Sequence, residues 1–151
     1  MRILTYRPEY RSAFERLNRD WLESYALLED ADVAYLLDPE GCIVSLGGQV
    51  FFAVDGDDVV GTCAAIYVSS SIFELAKLAV APAARRRGIA RLLAEAVLQF
   101  ARDAGASRVE LSSNSQLPAA IHLYESLGFQ HTAPPAAIRY YSADVYMALA
   151  L

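Results

Sequence analysis

With 151 residues, 55% of them hydrophobic and 21% charged, the chain has the size of one domain and enough apolar surface to exclude wholesale disorder. Its 13 basic against 18 acidic residues leave a net charge of −5, which disfavours general nucleic-acid binding and adhesion to acidic membranes and suits cationic partners. Cys42 and Cys63 form neither a Cys-x-x-Cys nor a Cys/His cluster, so no metal site and no disulfide framework is expected, and a reducing cytoplasm is the expected location.

Residues 2–6 read as a strand, and Pro8 suits the first turn of a helix over 8–27, whose Phe14, Leu17, Trp21, Leu22 and Tyr25 recur at helical steps. The amino terminus has no apolar core of a signal peptide, and charges break every apolar run below spanning length, so neither secretion nor a membrane span is expected. Asp30-Ala31-Asp32 opens a shorter helix that Asp38-Pro39-Glu40-Gly41 stops, and 41–48 reads as loop. Residues 50–54 and 59–68 flank Asp55-Gly56-Asp57-Asp58, the pattern of an antiparallel hairpin, and 73–80 makes a third strand. Arg85 to Gly88 lead into a long helix carrying Ile89, Leu92, Leu93, Ala96, Val97 and Phe100 at the helical period and ending at Gly105. A strand over 109–112, a short helix between Pro118 and Gly128, and strands at 129–132 and 143–149 complete the chain. The order β-α-α-β-β-β-α-β-α-β-β predicts one α/β domain over 1–151, with a mixed, mostly antiparallel sheet flanked by helices.

Leu75 and Leu78 lie three apart, which strict alternation cannot place on one face, so the third strand either carries a β-bulge between them or is buried on both faces. That strand passes through the basic loop 81–88 into the long helix. Free amides at a helix start, with Gly88 allowing close backbone approach, form an anion site over 86–91. A capped core helix with a solvated Arg cluster fits the same residues. Neither Gly-x-x-x-x-Gly-Lys-Ser/Thr nor Gly-x-Gly-x-x-Gly occurs, which removes the main warrant for a triphosphatase or a dinucleotide fold.

Arg85-x-x-Gly88-x-Ala90, following Leu78-Ala79-Val80, resembles the acetyl-coenzyme A signature Gln/Arg-x-x-Gly-x-Gly/Ala of the GCN5-related N-acetyltransferase (GNAT) superfamily. Leu123-Tyr124-Glu125-Ser126-Leu127-Gly128-Phe129 resembles that family's second recurrent segment, in the right order along the chain. The resemblance implies a GNAT fold in which Leu78, Ala79 and Val80 pair with the pantetheine arm and the next strand splays away. It also implies that Arg85, Arg86, Arg87, Gly88, Ile89, Ala90 and Arg91 surround the pyrophosphate. Asn114 would bond the cofactor or the last helix, or simply cap that helix in rivalry with Ser113 and Ser115. Tyr124 would be the general acid for the departing thiolate, the alternative being an aromatic residue at the core's edge. His122, two residues away, lies on another helix face. Glu74 would be the base, or else a salt-bridge partner of Lys77 or an Arg.

The acceptor would sit among 20–35, 66–74 and 133–142, near Glu29, Asp30, Asp32, Tyr140, Tyr141 and Asp144, unless those acids are only a solvated face. Arg139 would in that region bind a substrate carboxylate instead. The implied activity is that of an acetyl-CoA-dependent N-acyltransferase. It moves an acetyl group from acetyl-CoA, as co-substrate, to a primary amine of a small molecule or peptide by direct attack in a ternary complex. The alternatives are a catalytically inactive acyl-CoA-binding sensor or interaction domain, and a basic-loop RNA binder that the net charge opposes. No metal, nucleic-acid or membrane partner is expected, and a homodimer is compatible with the chain.

Overall fold

A computed structural model describes residues 1–135 and 140–151. Strand β1 (Arg2–Thr5) is followed by a 3-10 turn (Pro8–Tyr10), helix α1 (Arg11–Ser24) and helix α2 (Asp30–Leu37). The first helix is therefore shorter than expected. Pro8 starts a tight turn rather than an α-helical one, and Ala26, at φ +56°, turns the chain after Tyr25. Residues 41–48 are not simply loop: Glu40–Val44 form a π-helical turn with Ser45 N–H donating to the Glu40 carbonyl at 2.8 Å. Strands β2 (Gln49–Asp55), β3 (Asp58–Ser69) and β4 (Ile72–Val80) then form the meander that the turn residues predicted, and α3 (Ile89–Asp103) crosses to β5 (Arg108–Ser113). Helix α4 (Pro118–Ser126), β6 (Gln130–His131) and β7 (Val145–Ala150) complete the element order read from the sequence.

Among the described residues the sheet runs β1-β2-β3-β4-β5-β7-β6, antiparallel throughout except for the parallel β4–β5 pair. This is the mixed, mostly antiparallel α/β arrangement expected. Alternation divides β2 and β3 between two cores. Phe51, Ala53, Cys63 and Ala65 meet Leu93, Val97 and Ala101 of α3 on one face. Val50, Phe52, Val54, Ala64 and Ile66 meet Phe14 of α1, Leu36 of α2 and Ile43 of the π turn on the other. Among the described residues no helix is long and apolar enough to cross a membrane.

Of the two readings of this strand, the bulge is the one the structure contains. Thr62 pairs with Ala79 and Ala64 with Ala76, so Cys63 alone on β3 faces Lys77 and Leu78 together on β4. Lys77 takes φ +58°, a left-handed conformation costly for a side chain with a Cβ. The extra residue returns Leu78 to the same core as Leu75, which accounts for their three-residue spacing.

Candidate functional site

β4 and β5 pair only at Ile72–Arg108, Phe73–Val109 and Glu74–Glu110. Beyond Glu74 they diverge, the bulge directing β4 away, and a cleft of about 520 Å³ opens between them. Along its β4 wall lie Glu74, Leu75, Lys77, Leu78 and Val80, and across from them Ser112, Ser113 and Asn114. Ala79, expected to touch the same ligand, does not line the cleft: its side chain is buried and it pairs with Thr62.

One end of the cleft is the loop before α3. A 3-10 turn (Pro82–Ala84) leaves Arg85 extended, Arg86 at φ +64° and Gly88 at φ +76°, where Gly88 caps the helix. Leu92 N–H to the Gly88 carbonyl, 3.2 Å, is the bond that closes the first helical turn. The amides of Gly88 to Arg91 precede it and are not consumed by the helix. A Cβ on Gly88 would meet nothing within 4 Å, so the space before these amides is open. Arg85, Arg86, Ile89, Ala90 and Arg91 line the cleft. Arg87 does not, because its guanidinium turns out to Asp55 at 3.0 Å. Arg91 binds Glu95 at 3.0 Å and the Ser126 hydroxyl at 2.9 Å, tying α3 to α4.

Tyr124 comes from the last turn of α4. Gly128, at φ +100°, ends that helix in a Schellman turn, with Phe129 N–H donating to the Tyr124 carbonyl at 3.0 Å and Gly128 N–H to Glu125 at 3.0 Å. The turn brings the Phe129 ring edge-on to Tyr124 at 5.9 Å. Tyr124 is 7% exposed yet lines the cleft. Burial raises its phenol pKa well above the ordinary value, and nearby Cys63 adds to the rise, so the hydroxyl keeps its proton at neutral pH.

Asn114 neither caps α4 nor bonds within it; Leu117 stands at the cap position. Its Nδ2 donates to the Ser142 carbonyl at 2.5 Å and its Oδ1 accepts from Gln116 N–H at 2.8 Å. Asn114 therefore joins the β5 end to the 140–142 segment. Asp144 similarly accepts from the hydroxyl and amide of Ser115, at 2.6 and 2.8 Å, and these bonds hold its carboxyl below the usual range.

The opposite end of the cleft is a polar cluster that sequence reasoning missed in its main feature. Lys77, 5% exposed, pairs not with Glu74 but with Asp32 of α2, itself 4% exposed. Its ammonium also donates to the Tyr140 hydroxyl at 3.3 Å and lies 4.8 and 5.6 Å from the ring centres of Tyr140 and Tyr35. The other Asp32 oxygen accepts Glu29 N–H at 2.9 Å, capping the helix. Glu29 accepts Tyr141 N–H at 2.8 Å, Ser142 N–H at 3.2 Å and the Ser142 hydroxyl at 2.5 Å. Burial opposes its ionisation, but these bonds and the Lys77 charge outweigh burial and hold the carboxyl below its ordinary value. Of the acceptor-side residues expected, Glu29, Asp32 and Tyr140 line the cleft, whereas Asp30, Tyr141 and Asp144 do not. Arg139 lies outside the described residues.

The Glu29 bonds carry a prediction. A carboxylate with a depressed folded pKa contributes stability that is present above the unfolded pKa and lost as pH falls through the folded one. Glu29→Ala should therefore speed hydrogen exchange at the Tyr141 and Ser142 amides at neutral pH, and the unmodified protein should lose the same protection on acidification below about pH 4. Unchanged exchange in the variant would show that Glu29 does not hold the segment.

A family model described as the acetyltransferase (GNAT) family matches residues 6–129. N-acetyltransferase 8F1 of Rattus norvegicus is 34% identical over 117 residues, covering 74% of this chain and 52% of that protein. The chain spans about 40–52% of the length of the curated relatives it matches. Among solved structures, a GNAT-family acetyltransferase from Staphylococcus aureus superposes with a TM-score of 0.89 at 17% identity, covering 99% of this chain and 98% of that one. The protein yncA from Salmonella typhimurium, solved with its cofactor acetyl-CoA, superposes with a TM-score of 0.80 at 22% identity, covering 99% and 92%. At these identities the likeness is one of fold.

Proposed function

The chain belongs to the acetyltransferase (GNAT) family, and from that premise we propose that it transfers an acetyl group from acetyl-coenzyme A to a primary amine by direct attack in a ternary complex. The observation that carries this reading is the divergence of β4 from β5 after Glu74, which joins three chemically distinct elements in one cleft. The released edge of β4 offers backbone N–H and C=O groups to an extended amide-bearing arm at Leu78 to Val80. The helix start from Gly88 to Arg91, with Arg85 and Arg86 beside it, fits a diphosphate. Tyr124 and Glu74 border the same space and supply an acid and a base.

The bound thioester supplies an activated acyl carbon. In the reading proposed here, Glu74 takes the proton that an ammonium group must lose before its nitrogen can attack that carbon. The Tyr124 hydroxyl donates its proton to the sulfur as the carbon–sulfur bond breaks, and the second proton shed by the nitrogen as it becomes an amide restores the Tyr124 hydroxyl. Among the described residues Glu29, Asp32, Glu74 and Lys77 border the acceptor end, polar surroundings suited to a primary amine of a small molecule or peptide.

Steady release of free thiol from acetyl-CoA, dependent on an added amine and matched by an acetylated product in the mass spectrum, tests this reading. Tight binding without turnover across a broad amine panel would instead make the chain a sensor. A second test addresses the loop. Gly88→Val forces a β-branched residue into a left-handed conformation and places its methyls before the amides. Coenzyme A affinity by calorimetry should fall about tenfold or more. Equal affinity in a folded variant would remove the loop as the diphosphate site.

A further inference from the structure

The apolar stripe of α1 buries Phe14 and Leu17, but one turn further on Trp21 leaves the core and stands over the cleft. The Arg85 guanidinium lies 4.9 Å from the centre of its ring, and Tyr25 packs on Trp21 at 5.2 Å. Arg85 also donates its Nε–H to the Val80 carbonyl at 3.3 Å, at the last residue of β4. The guanidinium is thus held on one face and at one N–H, and among the described residues its terminal N–H groups donate to no protein acceptor.

Comparison with its neighbours in the loop shows what this arrangement does. Arg87 and Arg91 each face a carboxylate, Asp55 and Glu95, in a half-exposed ion pair. Among the described residues no carboxylate pairs with Arg85. An indole face attracts a guanidinium through its quadrupole and restricts it without neutralising it. Arg85 is therefore positioned and still fully cationic, next to the helix-start amides and 64 residues along the chain from Trp21.

We propose that Trp21 is a positioning residue for the acyl-carrier site: its ring holds the Arg85 guanidinium with a free N–H fork aimed at the carrier's phosphates. The proposal rests on the reading of the loop as the coenzyme A site. It also makes α1, whose Leu22 lines the same cleft, a structural link between carrier binding and the acceptor wall. Restricting the side chain beforehand removes part of the ordering cost that an anion would otherwise meet.

Calorimetry of the full chain with coenzyme A comes first. Absence of binding by the unmodified protein would overturn the functional reading and this proposal with it. Given binding, Trp21→Leu should weaken coenzyme A affinity and raise KM for acetyl-CoA about 3- to 10-fold while kcat changes less than about twofold, and Trp21→Phe should recover most of the loss. In an Arg85→Gln background the same substitution should have no further effect. Trp21 is the single tryptophan, so coenzyme A should also shift the intrinsic fluorescence of the unmodified protein, a readout that does not depend on any variant folding. Unchanged affinity in Trp21→Leu, an equal loss in the Arg85→Gln background, or binding without a fluorescence change would each overturn the proposal and leave the transferase reading standing.

Discussion

Tyr124→Phe should lower the maximal rate about 10- to 10⁴-fold and leave coenzyme A affinity nearly unchanged. The substitution keeps the ring, and with it the edge-on packing on Phe129 and the Schellman turn that presents residue 124 to the cleft. Only the hydroxyl is lost. If Tyr124 were merely a core-edge aromatic, the phenyl ring would do as well and the rate would stay put. Its burial gives a further check through pH. Desolvation disfavours the phenolate, so the pKa is raised and the neutral, proton-donating form persists through the ordinary pH range. No loss of kcat attributable to Tyr124 is therefore expected between pH 7 and about pH 10, the ordinary phenol value. A group acting as base would show the opposite sign, with the rate rising as the proton is lost. Steady-state rates across pH, alongside calorimetry on the variant, separate these cases, and an unaltered kcat removes Tyr124 from the mechanism.

Local pattern carried the parts of this fold that depend on local physics. Asp55-Gly56-Asp57-Asp58 announces a tight reversal, and Gly56 does take φ +62° there. The apolar period of α3 and its Gly105 stop, at φ +78°, predict a helix that the structure contains. The bulge was half legible: the three-residue spacing of Leu75 and Leu78 fitted either a bulge or a strand buried on both faces, and the pairing with β3 selects the bulge. The loop reading of 41–48 failed only in its first half, where the chain winds into the π turn ending at Val44; Gly47, at φ +100°, and Gly48 stand in the turn beyond it. Gly48 is not there for turn freedom: a Cβ on it would collide with the Ala65 carbonyl, so it permits the π turn to pass against β3. Contacts between distant segments left no periodic trace. Asp32 and Lys77 stand 45 residues apart and meet only because the bulge turns the lysine toward α2. Trp21 reads as one more apolar position in a helical stripe, and nothing local distinguishes it from Phe14. Nor does any local signal place β7 between β5 and β6.

Asp32→Ala should destabilise the protein by about 3–5 kcal/mol, because it strands the Lys77 ammonium in a site where both partners are nearly inaccessible to water. Tyr140 and Tyr35 can orient that charge but carry none to offset it, and Glu29, which feels the Lys77 charge, is bonded to Tyr141 and Ser142 instead of pairing with it. The left-handed backbone at Lys77 limits escape, since a bulge that fixes the Cα–Cβ direction leaves only side-chain torsions to reach solvent. The variant also loses the bond from Glu29 N–H, a helix cap contributing about 0.5–2 kcal/mol that overlaps with the larger loss. The double variant Asp32→Ala/Lys77→Gly decides which part dominates. It buries no unpaired charge, and glycine adopts φ +58° without steric cost, so it should be more stable than Asp32→Ala alone. Urea unfolding of both variants measures this. If the double variant is the less stable of the two, the Lys77 side chain is contributing packing rather than demanding a counter-charge. A functional consequence follows in the same proteins. The helix-start loop contains neither residue, so coenzyme A affinity in the double variant should remain near that of the unmodified protein. KM for the amine should rise, because α2, the bulge and the 140–142 segment no longer share a common anchor.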